Sequence, residues 1–134
     1  MHVAQRWQRR LEKALEPLGL THLQFILLAT IDWLERSGEV PSQARLASFT
    51  LFDRVMISKV LTLLARKDLI VRAAHPSIPK AKRVDLTKAG RHALKQARPL
   101  WAATEKRYFG QLGTEATATL GALLDELLEM PAET

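Results

Sequence analysis

Cations and hydroxyl groups share one face of a helix predicted near the middle of the chain. The apolar positions of this segment repeat at i, i+3, i+4 and i+7, which predicts an amphipathic helix with an inward stripe. The stripe consists of Ile57, Val60, Leu61 and Leu64. The opposite face has no carboxylate and consists of Val55, Met56, Ser58, Lys59, Thr62 and Arg66. Such a face suits a DNA groove, where cations meet phosphates or guanine edges and apolar groups meet thymine methyls. An ordinary solvated helix surface is the alternative.

A basic hairpin is predicted directly after this helix. Asp53 precedes the helix and can cap it, because its carboxylate can accept a free N–H of the first turn. Residues 69–74 and 83–87 are strand-like, and Pro76 and Pro79 between them favour a hairpin tip. The cations of the tip and the returning strand are Lys80, Lys82 and Arg83. A helix followed by a basic hairpin is typical of a winged helix-turn-helix, whose helix enters the major groove while the hairpin reaches the backbone or a minor groove.

The positive charge of the chain is concentrated in this segment. Residues 54–91 contain ten Lys or Arg and two acidic residues, a net charge of +8. The whole chain has 20 basic and 14 acidic residues, a net charge of +6, so the remainder sums to −2. Clustering of this kind is the electrostatic footprint of nucleic-acid binding, although an acidic protein or an anionic membrane would also fit the net charge alone.

The composition favours one globular domain and gives no support for catalysis. The chain has 134 residues, 47% of them hydrophobic, and no cysteine, which excludes disulfides and thiolate metal sites. No charge-free apolar run reaches about 18 residues, and the N-terminus lacks the apolar core of a signal peptide, so we expect a cytoplasmic protein with no membrane partner. The four histidines are scattered, and there is no phosphate loop or nucleophile elbow. We therefore expect a protein that is not an enzyme and has no cofactor and no metal. His75 in the wing is interpreted as a turn residue, with phosphate contact as the alternative.

The elements before the charged segment complete a helix-turn-helix. Residues 3–16 read as a helix that must dock on its own domain or on a second subunit. Thr21 and Gln24 form a capping box for a core helix that runs to about Ser37. Ser42 starts a short helix over 43–49, and the linker 50–52 leads to Asp53, which is helix-turn-helix spacing. Early positions of these two helices, Arg45 and Arg54, are candidates for phosphate contact.

Two further helices are predicted after the hairpin. Thr87 caps the first, which runs to about Gly110, and Pro99 inside it predicts a kink or break near Arg98. Its small and aromatic face is formed by Ala89, Ala93, Leu94, Ala97, Leu100, Trp101 and Phe109. Thr114 caps a last helix with a leucine face and only acidic charges. That helix either pairs across a dimer with the basic first helix (Arg6, Arg9, Arg10 and Lys13) or closes a monomeric core.

An ordered set of short motifs resembles the MarR family of bacterial transcriptional regulators. The matching run is Leu20-Thr21-x-x-Gln24, Leu46-Ala47, Ile57-Ser58-Lys59, Leu64-x-x-Lys67-Asp68-Leu69-Ile70-x-Arg72 and Lys80-Ala81-Lys82-Arg83-x-x-Leu86-Thr87-x-x-Gly90. The similarity extends from about residue 5 to 129. Its strongest marker is the Leu-Thr-x-x-Gly after the hairpin.

The resemblance implies a fold that is mainly α with a small β-hairpin wing. Residues 1–134 would form a single MarR-like domain, in which 20–87 are the winged helix-turn-helix DNA-binding region and 1–18 and 88–134 supply dimerisation helices. Such proteins are homodimers that read a pseudo-palindromic operator in double-stranded DNA, usually as repressors. Many release DNA when a small aromatic or phenolic anion binds between the dimer helices and the DNA-reading region. The candidate effector-binding residues are Arg10, His22 and Trp33.

The chain departs from the family's pattern in three segments: the wing tip, the residue before the first wing strand, and the start of the reading helix. The wing commonly carries Asp-x-Arg, but this chain has Ile78-Pro79-Lys80, so the minor-groove arginine is at best a lysine without its acidic partner. The glycine usual before the first wing strand is Asp68, which tolerates a left-handed conformation better than most residues. Val55 and Met56 replace the usual small hydroxyl residues, which predicts more contact with thymine methyls.

The sequence thus supports a sequence-specific DNA-binding transcriptional regulator, with a ligand-responsive homodimeric repressor as the specific expectation. In this hypothesis the outward-facing helix residues address bases and nearby phosphates; they are Arg54, Val55, Met56, Ser58, Lys59 and Thr62. Arg66 and the wing cations then hold the backbone or the minor groove. The atypical wing keeps one alternative open, a protein-interaction module on a winged-helix scaffold with only non-specific affinity for DNA.

Overall fold

Five α-helices, one short 3-10 helix and one β-hairpin follow one another in the part of the chain that the structure describes. The computed structural model describes residues 3–110, 119 and 122–123. The elements are α1 (Val3–Leu15), a short 3-10 helix (Glu16–Leu18), α2 (His22–Arg36), α3 (Gln43–Thr50), α4 (Arg54–Arg66), β1 (Ile70–Ala74), β2 (Lys82–Leu86) and α5 (Lys88–Gly110). The predicted class, mainly α with a small β-hairpin wing, is confirmed. None of the described helices alone is long and apolar enough to cross a membrane; the stretches Arg6–Leu18 and His22–Arg36 reach that length and composition only together, across a 77° bend.

Local capping explains where the central helices begin. The Thr21 hydroxyl accepts the Gln24 N–H at 3.1 Å, and the Gln24 side chain accepts the Thr21 N–H at 3.2 Å, which confirms the predicted capping box. Ser42 accepts the Arg45 N–H at 3.1 Å and starts α3. α2 ends before Gly38, whose φ of 84° lies in the left-handed region that glycine adopts without strain.

The core lies where α2, α3 and α4 meet the hairpin. Its fully buried side chains include Leu27, Leu28, Ile31, Leu34, Leu46, Ile57, Leu61, Leu64, Ile70 and Val84. The predicted inward stripe of α4 is therefore confirmed, with Val60 half-buried at its edge. In the antiparallel hairpin, Ile70 pairs with Leu86 and Ala74 pairs with Lys82. The Val84 N–H also donates to the Pro41 carbonyl at 2.9 Å, which fixes the hairpin beside the start of α3.

Helix α1 docks on its own chain. Leu11 and Leu15 are buried, and Trp7 meets Trp101 of α5 edge-to-face with 6.5 Å between ring centroids. Phe25 of α2 stacks on the same Trp101 at 4.4 Å. Within one chain, α2 and α5 thus contact the apolar side of α1: Leu11 and Leu15 are buried, and Trp7 is half-buried.

A kink or break is predicted near Arg98, and the predicted break is wrong. Helix α5 continues from Lys88 to Gly110 with Pro99 inside it. Packing of Trp101 and Ala97 against the core offsets the missing backbone bond, and ion pairs hold the exposed side. Ala89, predicted on the inward face, is exposed, whereas Gly90 in the same turn is buried against Leu69. The side chain of Phe109 and most of the predicted last helix, from Thr114 on, lie outside the described residues.

Acidic residues of α2 hold α5 in place. Arg91 donates to Glu35 at 2.6 Å, and Arg98 donates to Asp32 at 2.8 Å. Glu35 also accepts the Leu86 N–H at 3.3 Å, so one carboxylate contacts both α5 and the end of β2. These interactions fix the direction in which α5 leaves the wing.

The junction between the wing and α5 requires a glycine. The Thr87 N–H donates to the Leu69 carbonyl at 3.1 Å, and the Thr87 hydroxyl accepts the Gly90 N–H at 2.9 Å. A Cβ atom on Gly90 would overlap the Leu69 carbonyl oxygen and stand 3.0 Å from its carbon. The Leu-Thr-x-x-Gly motif is thus a helix cap followed by a close approach of two backbones.

Candidate nucleic-acid interface

The start of α4 is fixed by its cap. Asp53 Oδ1 accepts the Val55 N–H at 2.6 Å and the Met56 N–H at 3.3 Å. This confirms the predicted cap, which satisfies two of the N–H groups that a helix start leaves without a partner. The cap therefore fixes where α4 begins, and with it the direction of the side chains in its first turn.

Most of the predicted reading face of α4 is exposed. Arg54, Lys59 and Arg66 are exposed, and Val55 and Met56 keep 62% and 42% of their accessible surface. Two adjacent apolar side chains thus share an exposed helix face with three cations. The arrangement suits a surface that contacts both apolar and anionic groups.

The two hydroxyl residues of this face are less free than the sequence suggested. Ser58 and Thr62 are half-buried, and the Thr62 hydroxyl donates to the Ser58 carbonyl at 2.9 Å. Arg72 of β1 also donates to the Thr62 hydroxyl at 3.3 Å. The helical periodicity placed Thr62 outward because it carries no information about a strand that returns alongside. Arg72 was not among the predicted site residues, although it belongs to the run of motifs that resembles the MarR family.

The wing carries its cations at the tip and on the returning strand. Lys80 and Lys82 are exposed, and Lys80 has a φ of 63°, in the left-handed region. Arg83 lies further down β2 and is half-buried. Its guanidinium donates two hydrogen bonds to Asp85, at 2.6 and 2.9 Å, and this carboxylate raises the pKa of Arg83 above its ordinary value. The sequence predicts that the cation at the wing tip, Lys80, has no acidic partner. The structure shows an acidic partner for Arg83 instead, and that partner is Asp85 on the same strand.

A cationic cleft joins the wing to the helix-turn-helix. The cavity has a volume of about 430 Å³ and lies between the start of α3, the first turns of α4 and the part of the wing near its tip. Its lining residues are Ser42, Gln43, Ala44, Arg54, Ser58, Arg72, Lys80, Ala81 and Lys82. Four of these residues are basic and none is acidic. A cleft with this lining attracts an anion of phosphate size.

Arg45 is held away from this cleft. Its Nε lies 3.2 Å from both carboxylate oxygens of Glu39, and its guanidinium carbon lies 5.6 Å from the centroid of the Phe49 ring. Its side chain is exposed, so the ion pair is screened by water. The predicted phosphate contact of Arg45 therefore competes with an existing carboxylate.

The C-terminal end of α4 is attached to the turn before α2 and to the first turn of α2. Lys67 Nζ donates to the Gly19 carbonyl at 2.5 Å and to Gln24 Oε1 at 3.0 Å. The next residue, Asp68, has a φ of 58°, the left-handed conformation expected where relatives carry glycine. Polar contacts thus fix both ends of α4, through Asp53 at its start and through Lys67 at its end.

The three candidate effector residues lie in different surroundings. Arg10 is exposed on α1, whereas His22 contacts Glu12 of α1 through Nδ1 and through its own N–H, the latter at 3.1 Å. Trp33 is 46% exposed and packs on Phe49 with 5.0 Å between ring centroids. His22 and Trp33 are eleven residues apart on one helix, about 16 Å along its axis. That distance exceeds the width of one phenolic ring. Among the described residues, no group of three His, Asp or Glu side chains is placed to hold a metal ion.

Proteins that resemble this chain in sequence or in fold include transcriptional regulators. An uncharacterised HTH-type transcriptional regulator of Bacillus subtilis (strain 168), YdcH, is 33% identical over 105 residues, which are 78% of this chain and 71% of the relative. Wild-type MarR from E. coli, solved in its apo form, superposes with a TM-score of 0.80 at 26% identity, covering 94% of this chain and 91% of MarR. The chain belongs to the MarR family. No family model matches the sequence.

Two MarR-family neighbours were solved with DNA. A mutant of MarR from E. coli in complex with operator DNA superposes with a TM-score of 0.81 at 26% identity, covering 94% of this chain and 88% of the other. The S. aureus MepR–DNA complex gives the same TM-score at 21% identity, covering 94% and 90%. At that identity the MepR comparison shows the fold alone. The winged helix-turn-helix fold of the MarR family is therefore established for this chain.

Proposed function

We propose that this protein is a homodimeric repressor that binds a specific pseudo-palindromic operator in double-stranded DNA and responds to a small ligand. The observation that carries the proposal is the continuous cationic surface formed by α4, the cleft and the wing, within a segment of net charge +8. Membership of the MarR family and the operator complex of one relative support it.

The proposed contacts follow the exposure of each side chain. Val55, Met56 and Lys59 are exposed on the outer face of α4 and are proposed to address base edges and thymine methyls, together with the half-buried Ser58 and Thr62. Arg54, Lys80 and Lys82 surround the cleft, which we assign to a backbone phosphate. Arg66 and Arg83 flank these groups, and Arg45 joins them if it exchanges Glu39 for a phosphate.

Different parts of the fold are proposed to bind DNA and to form the dimer. Residues 20–87 form the DNA-reading region, and 1–18 with 88–134 form the dimerisation helices of a single domain. Two-fold symmetry then places the two half-sites about 10 base pairs apart, one helical turn of DNA. A small aromatic or phenolic anion is the proposed class of effector, with Arg10, His22 and Trp33 as the residues to test.

The first experiment is a titration onto the DNA upstream of the protein's own gene and onto an unrelated duplex, at several salt concentrations. Specific binding predicts an affinity about 10³-fold or more higher for the upstream DNA. Equal, salt-labile binding to both duplexes would contradict sequence-specific reading.

Single lysine variants test the docking. Lys59→Ala or Lys82→Ala reduces the slope of log affinity against log salt by about one, because each variant removes a cation that neutralises one phosphate. Lys95→Ala, on the exposed side of α5, is the matched control and leaves the slope unchanged. Unchanged slopes for both test variants would argue against this orientation on DNA.

A second function is favoured by one apolar patch. Trp33 and Phe49 keep 46% and 45% of their accessible surface, and Leu51 keeps 87%. Such a patch beside the helix-turn-helix is suited to a protein partner, which is the alternative of an interaction module with non-specific DNA affinity. The titration onto the two duplexes separates these functions, because the alternative predicts no preference for either duplex.

A further inference from the structure

The tip of the wing is organised around one side chain, His75. Its Nδ1 accepts the Ser77 N–H at 3.1 Å and the Ile78 N–H at 3.0 Å. Its own N–H donates to the Ala81 carbonyl at 2.9 Å. His75 therefore closes the tip twice, once across the hairpin through its backbone and once within the tip through its ring.

The backbone of the tip needs such support. Residues 75–81 contain no glycine, yet Lys80 adopts a φ of 63°, a conformation that a lysine side chain disfavours. The only further backbone hydrogen bond that closes the described tip is a long one, from the Ala81 N–H to the Ile78 carbonyl at 3.3 Å. The imidazole thus plays the part that an Asn or Asp side chain has in an Asx turn, where it accepts the N–H groups two and three residues on.

The chemistry of the ring limits what else His75 can do. A ring nitrogen that accepts two N–H groups carries no proton, so in this geometry the proton lies on Nε2. The charged residues that line the concavity of the wing around it are Arg72, Lys80 and Lys82, all cations. His75 is itself half-buried. Its ring therefore faces the backbone of the tip as an acceptor, and is not presented as a cation toward a phosphate.

We propose that His75 is a positioning residue for DNA binding: by accepting the N–H groups of Ser77 and Ile78, it holds the wing tip in the conformation that presents Lys80 and Lys82 to DNA. This inference rests on the proposed function of the wing. It adds a residue that does not contact DNA but determines where two cations stand.

The test compares three variants of the full chain. His75→Asn supplies a side-chain oxygen to the same two N–H groups, His75→Ala removes the acceptor, and His92→Ala removes an exposed histidine of α5 as a matched control. Hydrogen exchange of the Ser77 and Ile78 amides is measured by NMR in the free protein. The nitrogen chemical shifts of the His75 ring report whether Nδ1 is unprotonated. DNA affinity and its salt dependence are then measured on the upstream duplex.

The expected pattern is loss and rescue. His75→Ala increases exchange at Ser77 and Ile78 and weakens DNA binding by about tenfold, the fold-change that corresponds to about 1.4 kcal/mol. His75→Asn restores protection and keeps the affinity within about twofold of the wild type, with an unchanged salt slope. His92→Ala resembles the wild type in both measurements.

Two results would overturn the inference. If His75→Asn and His75→Ala weaken binding equally and each lowers the salt slope by about one, the imidazole contacts phosphate directly. If neither variant alters amide exchange, the ring does not hold the tip. A wild type without preference for its upstream DNA would instead refute the proposed function, and the exchange data would still decide whether His75 orders the tip.

Discussion

The close approach of α5 to the first wing strand makes Gly90→Ala a decisive substitution. A Cβ there would overlap the Leu69 carbonyl oxygen and stand 3.0 Å from the carbonyl carbon and 3.4 Å from its Cα. These are backbone atoms, so no rotamer change relieves the overlap. The start of α5 must therefore move away from Leu69, which strains the 3.1 Å hydrogen bond from the Thr87 N–H to the Leu69 carbonyl.

The expected magnitude is a decrease of about 2 kcal/mol in the free energy of unfolding. Overpacking of a tight site costs about 1–3 kcal/mol, and breaking the Thr87–Leu69 bond adds about 1 kcal/mol. The better helix propensity of alanine offsets about 1 kcal/mol. Packing and propensity therefore predict opposite signs for the same substitution, and the structure predicts that packing dominates.

Urea unfolding of Gly90→Ala at fixed protein concentration measures this balance. Ala89→Gly is the matched control, because Ala89 is exposed one residue earlier in the same turn. The control isolates propensity and is less stable than the wild type by about 1 kcal/mol. If Gly90→Ala is instead more stable than the wild type by about 1 kcal/mol, the two backbones do not approach this closely and the explanation of the motif is wrong.

Three further substitutions test other interactions. Asp53→Ala removes the acceptor of two first-turn N–H groups and lowers the free energy of unfolding by about 1 kcal/mol, whereas Asp53→Ser retains most of it; equal decreases in urea unfolding would argue against the cap. Asp68→Val forces a β-branched residue into a φ of 58° and costs about 1–3 kcal/mol, whereas Asp68→Gly is tolerated; an unaffected valine variant in the same assay would contradict the strain. Glu35→Ala leaves the Leu86 N–H without its acceptor and costs about 1–2 kcal/mol, more than Glu35→Gln, which keeps an oxygen there; the reverse order of melting temperatures would refute this role.

Features set by neighbouring residues were predictable from the sequence. The capping box at Thr21 and the cap at Asp53 depend on groups within a few residues, and both predictions are confirmed. The left-handed Asp68 agrees with the family resemblance, which places a glycine there, and not with a local signal. The inward stripe of α4 was equally predictable, because one helical period determines it.

Contacts between distant segments were not predictable in this way. Arg72 reaches Thr62 from a strand that lies beside the helix only after the hairpin folds back. Pro99 was expected to kink or break α5, and the break is absent. The local rule behind that expectation does not include the packing of Trp101 on Phe25. The role of His75 is local, but an imidazole is a rare substitute for the Asn or Asp side chain that marks such turns. The predicted DNA contacts themselves stay predictions.

The hydrogen bonds of Lys67 have a thermodynamic consequence. They join the end of α4 to the turn at Gly19 and to the first turn of α2 at Gln24, so a movement of this junction away from α4 must break them. A hydrogen bond to a charged group contributes about 1.5–3 kcal/mol. This value lies within the range of about 1–3 kcal/mol that couples two sites in allosteric proteins. A molecule that separates Lys67 from Gly19 and Gln24 must therefore bind the conformation without these hydrogen bonds about ten- to 150-fold more tightly than the conformation that has them.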